Sequence, residues 1–201
     1  MFDRSNVTTM RAHTQHLLSA AVLLAGLAGC SSQSASAPTA CPQGEFLTAV
    51  QRYVPDSQFF DTPWEPALGT DLKAVLESGG VACTYGLQEA EIGTTVMWAK
   101  GAELFASREN QWEQDGYSRV TIDATDTAWA LVEEAGVESH LWILNLLVDD
   151  VWIQINATFL RDVASADDLI AAAIDVTPTD AAHSQKRSAR IHIVDDTRMC
   201  V

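Results

Sequence analysis

The residues of this chain that could do chemistry are few and scattered. Cysteines stand at positions 30, 41, 83 and 200, and beyond residue 29 the only histidines are His140, His183 and His192. Acidic pairs occur at Glu133/Glu134, Asp149/Asp150 and Asp167/Asp168. Two carboxylates about 5–9.5 Å apart across a sugar cleft could hydrolyse a glycan. Each pair here also has a simpler place: a strand end, a hairpin turn and the negative first turn of a helix. His140, near Glu133, Glu134 and Glu138, is the nearest approach to a metal or general-base cluster, and it falls where a strand begins. The chain has no G-x-G-x-x-G or P-loop, no G-x-S-x-G or S-x-x-K, and no H-E-x-x-H. Asp123-Ala124-Thr125-Asp126 does not complete a calcium loop. These patterns point to no catalysis, no metal and no cofactor.

Cys30 differs from the other thiols in what precedes it. Arg11 and two histidines lead into an apolar run from Leu17 to Gly29, and Ser31-Ser32-Gln33-Ser34 follows. A basic region, a hydrophobic region and a small-residue exit make up a secretory signal. The run spans about 20 Å as a helix, short of the ~30 Å hydrocarbon core, so a stop-transfer helix is not expected. Leu27-Ala28-Gly29-Cys30 resembles a bacterial lipobox. The resemblance implies that Cys30 receives a diacylglyceryl thioether and becomes the mature N-terminus, anchoring the protein to the cell membrane on its extracytoplasmic face. Residues 1–29 are then the signal peptide, with Met10, directly before Arg11, an alternative start.

With Cys30 lipidated, Cys41 and Cys83 are the natural disulfide pair of an oxidising compartment. Cys200 stays open: free, joined to another chain, or in place of one of the two. Removing Asp3, Arg4 and Arg11 with the signal turns the formal charge of −15 into −16. A nucleic-acid partner needs a basic face, which the body of the chain does not offer.

The elements that must position any site follow from periodicity. Residues 30–40 are polar and small and read as a lipidated cysteine and flexible tether with a reach of about 17 Å. Phe46, Ala49, Val50 and Tyr53 predict a helix over 44–54, ended by Pro55. Residues 55–70 read as a packed loop, and Leu68, Leu72, Val75 and Leu76 mark a second helix stopped by Gly79-Gly80. Val81–Leu87 and Ile92–Trp98 predict a hairpin, and 101–114 a helix with Leu104, Phe105, Arg108 and Trp112 on one side. Strands are expected at 117–122, 127–134, 138–148 and 151–157, the third apolar on both faces, as a central strand would be. Ser165 is the expected cap of a last helix facing the sheet with Leu169, Ile170, Ala173 and Ile174. The fold class is α+β, a mostly antiparallel sheet with helices packed on it. The single domain covers 41–176, and the basic tail 177–201 is expected to be disordered.

The order of elements carries a second resemblance. A cysteine before the first helix, a second in Gly79-Gly80-Val81-Ala82-Cys83-Thr84-Tyr85, and a late Asp149-Asp150 hairpin before an Ala-rich helix are similar to small envelope lipoproteins of high-GC Gram-positive bacteria. That resemblance covers roughly 41–176 and implies a PsbP-like α/β/α sandwich with a binding or accessory role. Tyr85 stands where the family pattern more often has Trp, and Cys200 lies outside it.

All six tryptophans lie in the expected domain. Trp98, Trp112 and Trp142 fall on core faces. Trp152 shares a strand face with Gln154 and Asn156, and Trp64 lies between Pro63 and Pro66, so Trp64, Trp152 and Gln154 are the candidate ligand contacts. The expected function is a membrane-anchored envelope lipoprotein acting as a ligand-binding or accessory module without catalysis. Its partners are the membrane, through the lipid, and a small ligand or envelope protein. The alternatives are an acidic-residue cell-wall or glycan hydrolase, and a structural partner in an envelope complex.

Overall fold

The structure, a computed structural model, describes residues 35–134 and 140–177. Four helices are α1 Glu45–Tyr53, α2 Asp71–Glu77, α3 Ala102–Gln114 and α4 Asp167–Asp175. Seven strands are β1 Gln58–Phe60, β2 Val81–Leu87, β3 Ile92–Lys100, β4 Ser118–Val120, β5 Thr127–Glu134, β6 His140–Val148 and β7 Val151–Ala157. The strands form one sheet in the order β1-β2-β3-β7-β6-β5-β4, each neighbour antiparallel. The fold is therefore α+β. The first three strands form one ladder, α3 crosses over, and the last four return so that β7 closes against β3.

Alternation along the strands gives the sheet two apolar faces, and each face takes a pair of helices. On one, Cys83, Tyr85, Val96, Trp98, Trp142, Leu144, Ile153 and Ile155 pack under Phe46 and Val50 of α1 and Leu169, Ile170 and Ala173 of α4. On the other, Met97, Ala99, Trp129 and Trp152 pack under Val75 of α2 and Phe105 and Trp112 of α3. This is a three-layer helix–sheet–helix arrangement. Trp98 is fixed in it by donating from Nε1 to the Ala173 carbonyl at 3.0 Å.

Local signals account for both ends of α2. Thr70 Oγ1 accepts from the Lys73 amide at 3.2 Å, capping α2. At its other end Gly80 N–H donates to the Val75 carbonyl and Gly79 N–H to that of Leu76, with Gly79 at φ 80°. That is the paired closure for which a left-handed glycine is suited. The start of α3 is capped from a distance. In the β6–β7 turn, Asp150 Oδ1 accepts from the Ala102 amide at 2.7 Å, and the Asp150 carbonyl accepts from Gly101 at 2.8 Å. The Asp149-Asp150 pair thus makes the turn, with Asp149 at φ 56°, and neutralises the exposed donors of a helix.

Four expectations are corrected. Residues 35–40 do not hang free, because Ala35 is buried in the α1/α4 core cluster and Ala37 packs against it. Leu68 lies outside α2 and is 87% exposed, since the helix begins only after the Thr70 cap. The loop 55–70 contains a strand, β1, whose three residues pair with Thr84–Gly86 and are too few to leave a periodic signal. Ser165 does not cap α4. It sits in a single turn of 3₁₀ helix over Ala164–Ala166, where its own amide donates to Asp162 Oδ1 at 2.7 Å. The tail from 178 onward lies outside the described residues.

Cys41 and Cys83 are joined by a disulfide, closing a loop with a sequence separation of 42. Two residues along β2 on the same face, the Tyr85 hydroxyl donates to the Pro42 carbonyl at 2.6 Å. The segment ahead of α1 is therefore held to β2 covalently and by a hydrogen bond. Replacing both Cys41 and Cys83 by Ser should lower the unfolding free energy by about 4 kcal/mol, read from urea denaturation. Burial pushes the Tyr85 phenol well above its ordinary value of 10.0. Burial, then the Asp168 carboxylate, raises that of Tyr53. In the unfolded chain these phenols ionise near pH 10 while the folded chain holds them neutral. Their contribution is thus complete below pH ~10 and is lost as the pH rises beyond it, by up to about 1.4 kcal/mol per pH unit for the buried Tyr85 and by less for Tyr53, which is half-buried and screened by water. Urea midpoints measured across that range should fall, and Tyr85→Phe should make the fall shallower.

Candidate binding groove on the sheet

The face under α2 and α3 contains a polar network that begins in the two most central strands of the return ladder. Asn145 of β6 and Gln154 of β7 are register partners, and both are buried. Asn145 Oδ1 accepts from Trp152 Nε1 at 2.9 Å and from Gln154 Nε2 at 2.8 Å. Gln154 Nε2 also donates to Asp71 Oδ2 at 2.8 Å, and Trp112 Nε1 donates to the same oxygen at 2.8 Å. Asp71 Oδ1 receives the Arg108 Nε–H at 2.7 Å, and Arg108 reaches on to the Gly69 carbonyl at 2.9 Å. The Asp71 and Arg108 side chains are only 13% and 21% exposed, so little water screens the pair. Asn145 Nδ2 has no partner among the described residues.

One register step toward the β2–β3 hairpin, the helices stop. The next line across this face runs Phe60, Thr84, Thr95, Asn156, Ile143, Leu131, from β1 to β5. Every one of these side chains is half-buried, unlike the Met97 and Gln154 beside them. Over the β1–β2–β3–β7 part of that line lies a groove of about 330 Å³. Its floor carries Phe60, Thr84, Thr95 and Asn156, and its rim Thr62, Gln88, Glu91, Ile92 and Thr158. Thr62 Oγ1 and Thr84 Oγ1 are 3.1 Å apart and hydrogen-bonded. Among the described residues, the Thr95 hydroxyl and the Asn156 amide have no protein partner and face the groove as free donors and acceptors. Among the described residues, Glu91 is the only charged residue of the lining, and none of them brings a cation there.

A glycine pair shapes the far end. Gly86 and Gly93 face one another across β2 and β3. A Cβ on Gly86 would lie 2.2 Å from the Ile92 carbonyl oxygen, and one on Gly93 would lie 2.4 Å from that of Tyr85. Both contacts are with backbone, so no side chain fits and the strands keep this close approach.

The sequence-derived candidates fall differently from their expectation. Trp152 is on the expected face with Gln154 and Asn156, but it is fully buried beneath Phe105 and Trp112, at ring distances of 6.2 and 5.5 Å. Gln154 is buried in the Asp71 network. Neither is a surface ligand contact, because α3 covers this stretch of β7. Trp64 is half-buried and donates to the Ala82 carbonyl at 3.1 Å, outside the groove lining. Only Asn156 of that strand face opens onto the groove. Phe60, Thr84 and Thr95 were missed as site residues. For Thr84 and Thr95 the signal was a polar position on strands whose other side is apolar, with nothing in the sequence to say where a helix would end above them; Phe60, on the three-residue β1, left none.

Two other charged clusters among the described residues are occupied by structure. Asp168 bridges Arg52 at 2.7 Å on the exposed surface. A second hollow beside α3 contains Glu109, Arg119 and Trp129. The Arg119 guanidinium lies 4.8 Å over the Trp129 ring, and both donate to Glu109 Oε1, at 3.0 and 2.9 Å, so these groups satisfy one another. Among the described residues no group of three or more His, Cys, Asp or Glu could hold a metal ion, and no helix is long and apolar enough to cross a membrane. Leu27, Ala28, Gly29, Cys30, His183, His192 and Cys200 lie outside the described residues, as do the side chains of Glu133, Glu134 and His140. No family model, curated protein or solved structure matches this chain.

Two substitutions separate the network from the groove. Asp71→Ala strands Arg108, Trp112 and Gln154 and should cost about 3–5 kcal/mol in urea denaturation. Thr95→Val, on a half-buried side chain with no protein hydrogen bond to lose, should change stability by less than about 1 kcal/mol.

Proposed function

We propose that this protein is a lipid-anchored envelope protein of a bacterial cell surface whose α+β domain binds a small ligand in the sheet groove and performs no chemistry of its own. The anchoring reading rests on Leu27-Ala28-Gly29-Cys30 behind a short apolar run. The observation that carries the binding reading is the line Phe60, Thr84, Thr95, Asn156, where polar and aromatic side chains lie half-buried and uncovered beside a face otherwise closed by α2 and α3. A concave site with a few convergent polar groups on a rigid floor is what small-ligand binding uses. Its volume lies at the lower end of the range for such sites.

The disulfide supports an oxidising compartment, since a bridge between Cys41 and Cys83 would not persist among cytoplasmic thiols. The excess of acidic over basic residues suits an exported, non-aggregating surface.

Two measurements test the two halves. Metabolic labelling with a radioactive fatty acid should mark the native chain and not Cys30→Ser, which should instead be found in the medium. An unlabelled native chain would remove the anchor. Native mass spectrometry of the exported Cys30→Ser form should show added mass that is lost on denaturation. A bare mass together with cross-links to an envelope protein would replace ligand binding with a structural role.

A further inference from the structure

We infer that the groove takes an uncharged saccharide. This rests on the ligand-binding reading above and names the class of its ligand.

The lining decides the class by exclusion and by match. An anionic group, whether phosphate or carboxylate, would enter a site to which the described residues bring no Lys or Arg, beside Glu91, on a strongly acidic body. A buried charge without a partner is strongly disfavoured. A cation would find one carboxylate, at the exposed rim, and no second acceptor of charge. An aliphatic chain would cover the Thr95 hydroxyl and the Asn156 amide and leave them without partners, at about 1–3 kcal/mol each. An extended peptide cannot add as a strand here, because the groove floor is a sheet face whose backbone groups are already spent in the β2–β3 and β3–β7 ladders.

What remains is a neutral molecule rich in groups that both donate and accept. Sugar hydroxyls do both. So do the groove's own groups: the hydroxyls of Thr84 and Thr95 and the amides of Gln88 and Asn156, while Thr62 donates to Thr84 and Thr158 to the Gly93 carbonyl, which leaves those two as acceptors. Glu91 adds an acceptor for paired hydroxyls. Phe60, half-buried at the β1 edge, supplies an apolar face for the C–H side of a pyranose ring. The floor residues stand on four hydrogen-bonded strands, so their spacing is fixed before the ligand arrives, which lowers the ordering cost of binding.

The test is a two-dimensional amide NMR titration of the exported Cys30→Ser form. The neutral probes are glucose, galactose, N-acetylglucosamine and their trisaccharides. Glucuronate and decanoate are the charged and apolar probes. We expect at least one neutral saccharide at about 10 mM, ten times a Kd of about 1 mM, to shift the amides of Thr84, Thr95 and Asn156 with saturation. Thr95→Val and Asn156→Ala should each weaken that binding about fivefold, the worth of one hydrogen bond, while the protein stays folded with a cooperative thermal transition. Saturable shifts of the same amides by glucuronate or decanoate, and by no neutral saccharide, would overturn the saccharide class and leave a binding groove. Groove amides silent to every probe, together with a bare native mass, would overturn both. Saccharide-induced shifts elsewhere on the chain that survive both substitutions would overturn the placement in this groove.

Discussion

The carboxylate of Asp71 is the acceptor on which one layer of this molecule closes. Gln154 and Asn145 bring amides into the middle of the sheet, where burial without partners would be costly. Asp71 reaches Gln154 from the first turn of α2, and the same carboxylate takes the Trp112 indole and the Arg108 guanidinium from α3. One side chain therefore fixes two helices to each other and both to β7. Three donors on a two-oxygen acceptor define the angle and depth at which α2 and α3 lie, which apolar packing alone would leave loose.

That fixed placement also determines where the sheet is left open. A helix of seven residues and one of thirteen, held at Asp71, cover the line of Met97, Gln154 and Trp129 and end before the line of Thr84, Thr95 and Asn156. The groove is thus the uncovered remainder of a face, with a rigid floor supplied by the ladders beneath it. On the opposite face Trp98, Leu144, Ile153 and Ile155 are fully buried, in one cluster with residues of α1 and α4.

The N-terminal side of the domain depends on a separate constraint. The Cys41–Cys83 bridge and the Tyr85–Pro42 hydrogen bond fall on neighbouring same-face positions of β2. Together they set the approach to α1, whose Phe46 then packs at 5.0 and 5.6 Å from the rings of Tyr85 and Trp98. A tether that would otherwise be free enters the core at Ala35 for the same reason: the chain is already held against the sheet at Cys41.

The local elements are legible in the order of the residues. Periodicity located the four helices and six of the seven strands, because each buries a stripe or a face that repeats within the element. The glycines after α2 and the Asp149-Asp150 turn were legible for the same local reason. The tertiary structure alone decided the β3–β7 pairing, the three-residue β1 and the capping of α3 by Asp150. Each joins residues distant in the chain through hydrogen bonds that leave no local pattern. It also decided the fate of Trp152, Gln154 and Asn156. Alternation put these three on one face of one strand, but only the length and position of α3 determined that the first two are buried and the third borders a groove. Which face a side chain occupies is a property of its own strand, whereas what covers that face is a property of another element.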